Sequence, residues 1–176
     1  MDRKKDEYLF IDGYNVINGW QELKSLSKIS LDTARNRLVE IMSEYQSFTG
    51  INVIIVFDAH LVKGSNEKTE KLYGVTVVYT KERETADSYI EKILDKIGRN
   101  KIVRVATSDW AEQQIVLGRG GTRISSRELE IEVKNIRRSI KRKREKNKEK
   151  SKDNNLLGER LNVDILKKLE KMRRNQ

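Results

Sequence analysis

With 176 residues the chain is long enough for one α/β domain with a hydrophobic core and short for two. It contains no cysteine, which excludes disulfides, thiolate metal sites and a cysteine nucleophile, so any metal must be held mainly by oxygen. The net charge of +10 is unevenly spread: Met1 to Val133 holds 20 Lys+Arg against 21 Asp+Glu, whereas Lys134 to Gln176 holds 17 against 6.

That division fits a near-neutral body carrying a cationic arm that seeks polyanions, because neutralising phosphates releases counterions. A solvated tail that only aids solubility is the alternative. The charged start, Met1 to Glu7, is followed by one short apolar run rather than a signal-peptide core. No apolar run approaches the roughly 20 residues that cross a bilayer. A soluble, cytoplasmic protein without a membrane partner is therefore expected.

Taken in chain order, Tyr8–Ile11 is a short apolar run that ends in the turn-like Asp12-Gly13-Tyr14-Asn15. Both this run and the β-branched Ile51–Phe57, which ends at Asp58, predict buried strands. Val75–Tyr79 and Lys101–Ala106 repeat the pattern, and Thr122–Ser125 is a fifth short strand. Between them, Leu31 to Phe48 sets Ala34, Leu38, Ile41, Met42 and Tyr45 on one helical face. Ala86 to Ile97 does the same with Tyr89, Ile90, Ile93 and Leu94, and a weaker helix spans Asp109 to Leu117. Such alternation predicts an α/β fold with a central parallel sheet flanked by helices.

Gly118 to Gly121 is taken as a plain loop, since it lacks the lysine and Ser/Thr of a phosphate-binding P-loop. Ser125 and Glu128 form a capping-box signature for a last helix, whose Leu129, Val133, Ile136 and Ile140 keep helical spacing. Lys141 to Asn155 has no apolar residue and is either a solvated basic helix or a linker, after which Leu161, Ile165, Leu169 and Met172 restore a face.

Four aspartates carry the chemistry. Asp12, Asp58 and Asp109 follow predicted strands, and Asp87 opens the helix after the third, so all four are expected at the carboxyl edge of the sheet, where open α/β folds bind ligands. An aspartate after a strand is also a common N-cap or turn former, and Ser108-Asp109 has the alternative role of opening a helix; the signal lies in the repetition. Clustered carboxylates without neutralising cations call for a hard divalent ion, Mg²⁺ or Mn²⁺. Such an ion suits phosphodiester hydrolysis. Glu82 and Glu84 are either accessory ligands or a solvated loop. His60 is read as a surface residue with a phosphate contact or proton donor as the alternative, and Trp20 and Trp110 as core residues with base stacking as the alternative.

Five blocks resemble the YacP-type branch of the NYN domains: Phe10 to Ile17, Val56 to His60, Glu84 to Asp87, Thr107-Ser108-Asp109 with Glu112-Gln113, and Gly118 to Leu129. The resemblance runs from about Tyr8 to Asn135. It implies a PIN-like three-layer nuclease domain over residues 1–135, followed by a basic C-terminal helical extension over 136–176. It also implies an acidic site that cuts RNA. Asp12, Asp58, Asp87 and Asp109 map onto the family's acidic positions, with Asp12, Asp87 and Asp109 as metal ligands. Asn15 maps onto the asparagine that orders the first loop, and Glu84 and Ser108 are accessory. Because the family includes an endoribonuclease that cleaves mRNA in the ribosomal A site, the expected partners are mRNA and the ribosome.

The expected function is thus that of a Mg²⁺-dependent endoribonuclease on single-stranded RNA. Arg83, Arg119, Arg123 and Arg127, with Lys141, Arg142, Lys143 and Arg144 of the arm, are expected to grip the strand. A catalytically silent RNA- or ribosome-binding module of the same fold is the rival. A phosphatase or nucleotide hydrolase has no need of so long a basic arm.

Overall fold

The computed structural model describes residues 6–58, 67–97, 101–109, 114, 117–118 and 121–174. The chain divides into two compact units, Met1–Ile136 and Arg137–Gln176. In the first, β1 (Glu7–Asp12) leads into α1 (Gly13–Gly19), α2 (Gln21–Ser27) and α3 (Leu31–Thr49). β2 (Asn52–Phe57), β3 (Lys68–Leu72) and β4 (Val75–Tyr79) follow, then α4 (Ala86–Ile97), β5 (Ile102–Ala106) and β6 (Thr122–Ile124). A last helix, α5, runs from Ser126 to Arg174.

The strands form one sheet in the order β3-β4-β2-β1-β5-β6. All neighbours are parallel except β3, which pairs antiparallel with β4. Successive side chains of a strand point to opposite faces, and β1 divides accordingly. Leu9 and Ile11 enter a core with α1, α2, α3 and the start of α5, among them Trp20, Leu38, Met42, Leu129 and Val133. Phe10 enters a second core with Val56, Val78, Val105 and the Ala86, Ile90 and Leu94 face of α4. Each fully buried Leu, Ile or Phe contributes about 1.5–3 kcal/mol relative to exposure. The result is the expected three-layer α/β arrangement.

At the carboxyl edge the chain leaves β1 towards β2 but leaves β5 towards β6. These opposite departures open a crevice between β1 and β5, the switch point at which parallel sheets bind ligands.

Three expectations are corrected. Asp12 to Asn15, read as a turn, is the start of α1, because the Asp12 carboxylate accepts the Asn15 backbone N–H and caps the helix. β3 was not expected at all. Its sequence, Lys-Thr-Glu-Lys-Leu, has no apolar alternation, and it is a strand because β4 offers it a free edge. Gly118, read as loop, is helical together with Leu117; the rest of the helix expected over 109–117 lies outside the described residues except for Gln114, also helical.

The linker alternative for Lys141 to Asn155 does not hold either, since α5 is helical throughout. Lys, Arg and Glu are good helix formers and the chain has no proline to stop them. The capping box is formed at its start. Glu128 Oε2 accepts the Ser125 N–H at 2.7 Å, and Ser125 Oγ accepts the Glu128 N–H at 3.2 Å. Glu132 then binds Arg104 of β5 at 2.7 Å and Tyr45 of α3 at 2.6 Å, fixing this first stretch to the body.

Candidate functional site

Asp12 ends β1 and stands at the mouth of the crevice. Its Oδ1 accepts the Asn15 N–H at 3.1 Å. Burial, above all, pushes its carboxyl up to about 6; the Asn15 N–H opposes this, and the nearby negative charges of Asp87 and Asp58 add to it. The next residue has to be glycine. A Cβ on Gly13 would lie 2.3 Å from the Phe57 ring, so any side chain there would drive α1 away from the end of β2.

Asn15 reaches across the switch point. Its side-chain Oδ1 accepts the backbone N–H of Ser108 at 2.9 Å, tying α1 to the loop after β5. Ser108 Oγ in turn accepts the Ser126 N–H at 3.3 Å, and the Trp20 indole donates to the Ser126 carbonyl at 2.7 Å. Trp20 is therefore a buried brace under this edge, as the core reading expects.

Asp58 follows β2, and its Oδ1 accepts the Ala86 N–H at the first turn of α4. The same turn carries Asp87. Asp12, Asp58 and Asp87, from three separate segments, are thus close enough for each neighbour to raise the proton affinity of Asp12. Asp109, exposed just beyond β5, has its own N–H donated to Thr107 Oγ1 at 3.1 Å.

Among the described residues no three Asp, Glu or His side chains are gathered tightly enough to hold a metal ion by themselves. Glu84 is engaged within its own loop, where Oε2 accepts the Lys81 N–H at 3.5 Å and Oε1 pairs with Lys92 at 3.4 Å.

Of the cationic residues, Arg83, Arg123, Arg127 and Lys141 to Arg144 are exposed. Arg119, His60 and Trp110 lie outside the described residues. Two buried threonines, not singled out in the sequence, hold the loops that carry the aspartates. Thr80 donates its N–H to the Phe57 carbonyl at 3.0 Å and its hydroxyl to the Glu84 carbonyl at 2.6 Å. Thr107 donates its N–H to the Ile124 carbonyl at 3.1 Å. Their one sequence signal is shared position, a threonine directly after a β-branched strand.

The YacP-like NYN domain family matches residues 9–174. The YacP protein of Bacillus subtilis (strain 168) is 45% identical over 169 residues, 96% of this chain and 97% of that one. The crystal structure of Rae1 (YacP) from Bacillus subtilis is similar with a TM-score of 0.72 at 43% identity, covering 96% of this chain and 95% of that one. A point mutant of the same protein gives 0.68 at 44% identity, covering 77% and 80%.

Proposed function

This chain belongs to the YacP-like NYN domain family, a membership that carries a nuclease-type, RNA-related function, and on that premise we propose a Mg²⁺- or Mn²⁺-dependent endoribonuclease. Its substrate is single-stranded RNA, with mRNA on the translating ribosome as the favoured form. It works in the cytoplasm; no helix among the described residues is long and apolar enough to cross a membrane.

The observation that carries this reading is Asp12, a carboxylate kept largely from water beside the negative charges of Asp87 and Asp58. An all-oxygen donor set of this kind fits a hard divalent ion. Mg²⁺ keeps several of its waters and uses only one or two protein carboxylates plus substrate phosphate, so it does not require three carboxylates in direct reach. Asp12, Asp87 and Asp109 are the proposed ligands, with Asp58 acting from the acidic edge. When bound, the ion would supply charge to the scissile phosphate and activate water for in-line attack.

The chain's own residues supply position. Asn15 holds the first turn of α1, which Asp12 caps, against the Ser108 loop that leads to Asp109. Asp58 fixes the start of α4 and with it the height of Asp87. Arg123 and Arg127 guide the backbone near the crevice, and Lys141, Arg142, Lys143 and Arg144 attract RNA without regard to sequence.

The rival, a catalytically silent RNA- or ribosome-binding module, draws on the looseness of the acidic group. Incubating purified protein with labelled RNA and Mg²⁺, with and without ribosomes, decides between them. Cleavage by the wild type and none by Asp12→Asn is expected. Intact RNA in both wild-type arms would leave the silent module.

A further inference from the structure

Two non-glycine residues have a left-handed backbone, Tyr73 at φ 51° and Arg83 at φ 70°. The first is accounted for by its turn. Tyr73 and Gly74, the latter at φ 87°, form the two-residue connection between β3 and β4, and tight hairpins of this length favour positive φ at both positions.

Arg83 has no such excuse. It lies between β4 and α4, in a turn closed by the Glu84 N–H donating to the Lys81 carbonyl at 3.0 Å. The Glu84 carboxylate on the Lys81 N–H and the Thr80 hydroxyl on the Glu84 carbonyl hold the turn from both sides. Arg83 is its third residue, where a positive φ ordinarily selects glycine or asparagine.

A strained residue persists only where its surroundings over-determine it, and such residues gather at ligand clamps. Arg83 meets that description. It is exposed, has no hydrogen bond or ion pair among the described residues, and stands four residues before Asp87 on the loop that enters α4. A guanidinium offers a planar fork of donors that matches two phosphate oxygens at once, which an ammonium cannot do.

We propose that Arg83 is a preset phosphate clamp, held by its strained turn at the acidic edge to take a phosphate of the RNA strand next to the scissile bond. This rests on the nuclease reading and deepens it. The strain is the means of presetting: a guanidinium already in place loses less freedom when the strand arrives.

Arg83→Gly relieves the backbone while removing the guanidinium, Arg83→Asn tolerates the same φ, and Arg83→Lys keeps only the charge. Each is compared with the wild type for melting temperature, for kcat and KM on a single-stranded oligoribonucleotide with Mg²⁺, and for the salt dependence of binding. Arg83→Gly should melt no lower than the wild type, yet lose roughly ten- to hundredfold in kcat/KM, the worth of a charged hydrogen bond. Part of that loss should be in kcat at saturating RNA, and Arg83→Asn should match it.

The slope of log K against log salt should flatten by about 0.7 in Arg83→Gly and stay near the wild-type value in Arg83→Lys, whose turnover still falls. Wild-type kinetics and slope in a folded Arg83→Gly would overturn the clamp and leave the nuclease reading untouched. If the wild type binds RNA but cuts none, the nuclease reading falls, and the salt slope still judges whether Arg83 holds a phosphate. A wild type that does not bind RNA at all would overturn both.

Discussion

The side-chain Oδ1 of Asn15 accepts the backbone N–H of Ser108 at 2.9 Å, joining the first turn of α1 to the loop after β5 across the crevice between β1 and β5. Because Asn15 also donates its own N–H to Asp12, one residue sets the distance between the two walls of the site. Replacing it by alanine removes one intramolecular hydrogen bond, worth about 1 kcal/mol. Ser108 is exposed, so water can satisfy its N–H and the melting temperature should fall by only about 2–4 °C. Turnover should fall far more than stability does. Cleavage and melting measured on the same Asn15→Ala sample check this, and full turnover would mean that the tie does not position the acidic group.

Asp12 predicts a pH dependence of definite sign. In metal-free protein its folded carboxyl titrates at about 6, above the ordinary 3.8. Between these values the folded state holds a proton that the unfolded chain has released. Stability from this group is therefore complete below about pH 4 and is lost as pH rises through about 6, to an extent of up to about 3 kcal/mol. Asp12→Asn cannot titrate and should lack that decline, so at pH 7 it should be more stable than the wild type while cutting nothing. Denaturant titrations in chelator at pH 4, 5, 6 and 7 test the sign. A wild type that gains on Asp12→Asn over this range would show that the carboxylate is stabilised by an internal partner.

How far the sequence foretold this site differs from residue to residue. The edge positions of Asp12, Asp58 and Asp109 were legible because short apolar runs mark strands, and the residues at or just past a strand's end mark the sheet edge. α4 was legible to both ends, since Ala86, Ile90 and Leu94 repeat at helical spacing against a single core. The seven residues of α1 carry too few turns for a periodic signal, and glycines at both ends resemble a loop. β3 draws its structure from β4, and nothing within Lys68–Leu72 announces that. The bonds that join the segments, Asn15 to Ser108 and Asp58 to Ala86, span 93 and 28 residues and exist only after the sheet has formed.

Ion binding should follow the same residues. A ligand that binds only the folded state adds about 2.7 kcal/mol at a hundred times its Kd. Saturating Mg²⁺ or Mn²⁺ should therefore raise the melting temperature of the wild type by several degrees and barely move an Asp12→Asn, Asp87→Asn double variant. Ca²⁺, larger and less demanding in geometry, serves as a control for plain charge screening. Equal shifts in the two proteins would move the ion to another site.

The last prediction concerns the arm. Lys141 to Lys152 holds eight Lys/Arg against two Glu, and residues 141–148 are exposed. Each single-strand phosphate that they neutralise adds about −0.7 to the slope of log K against log salt. A chain ending at Ile140 keeps the whole Met1–Ile136 unit, including the Leu129 and Val133 contacts and the Glu132 bridge to Arg104. Its melting temperature should stay close to that of the full chain, while RNA binding weakens and the salt slope flattens. At saturating free RNA the turnover should survive, because no acidic residue of the crevice is lost. On ribosomes, whose surface is rich in phosphate, cleavage should fall sharply if the arm supplies the docking. Ile165 and Met172 are exposed apolar residues on the removed segment, so a contribution to stability would reveal itself as a lower melting temperature with every activity reduced together. An unchanged salt slope in the truncated protein would show that the arm does not hold RNA, and the basic excess would then be explained by solubility alone.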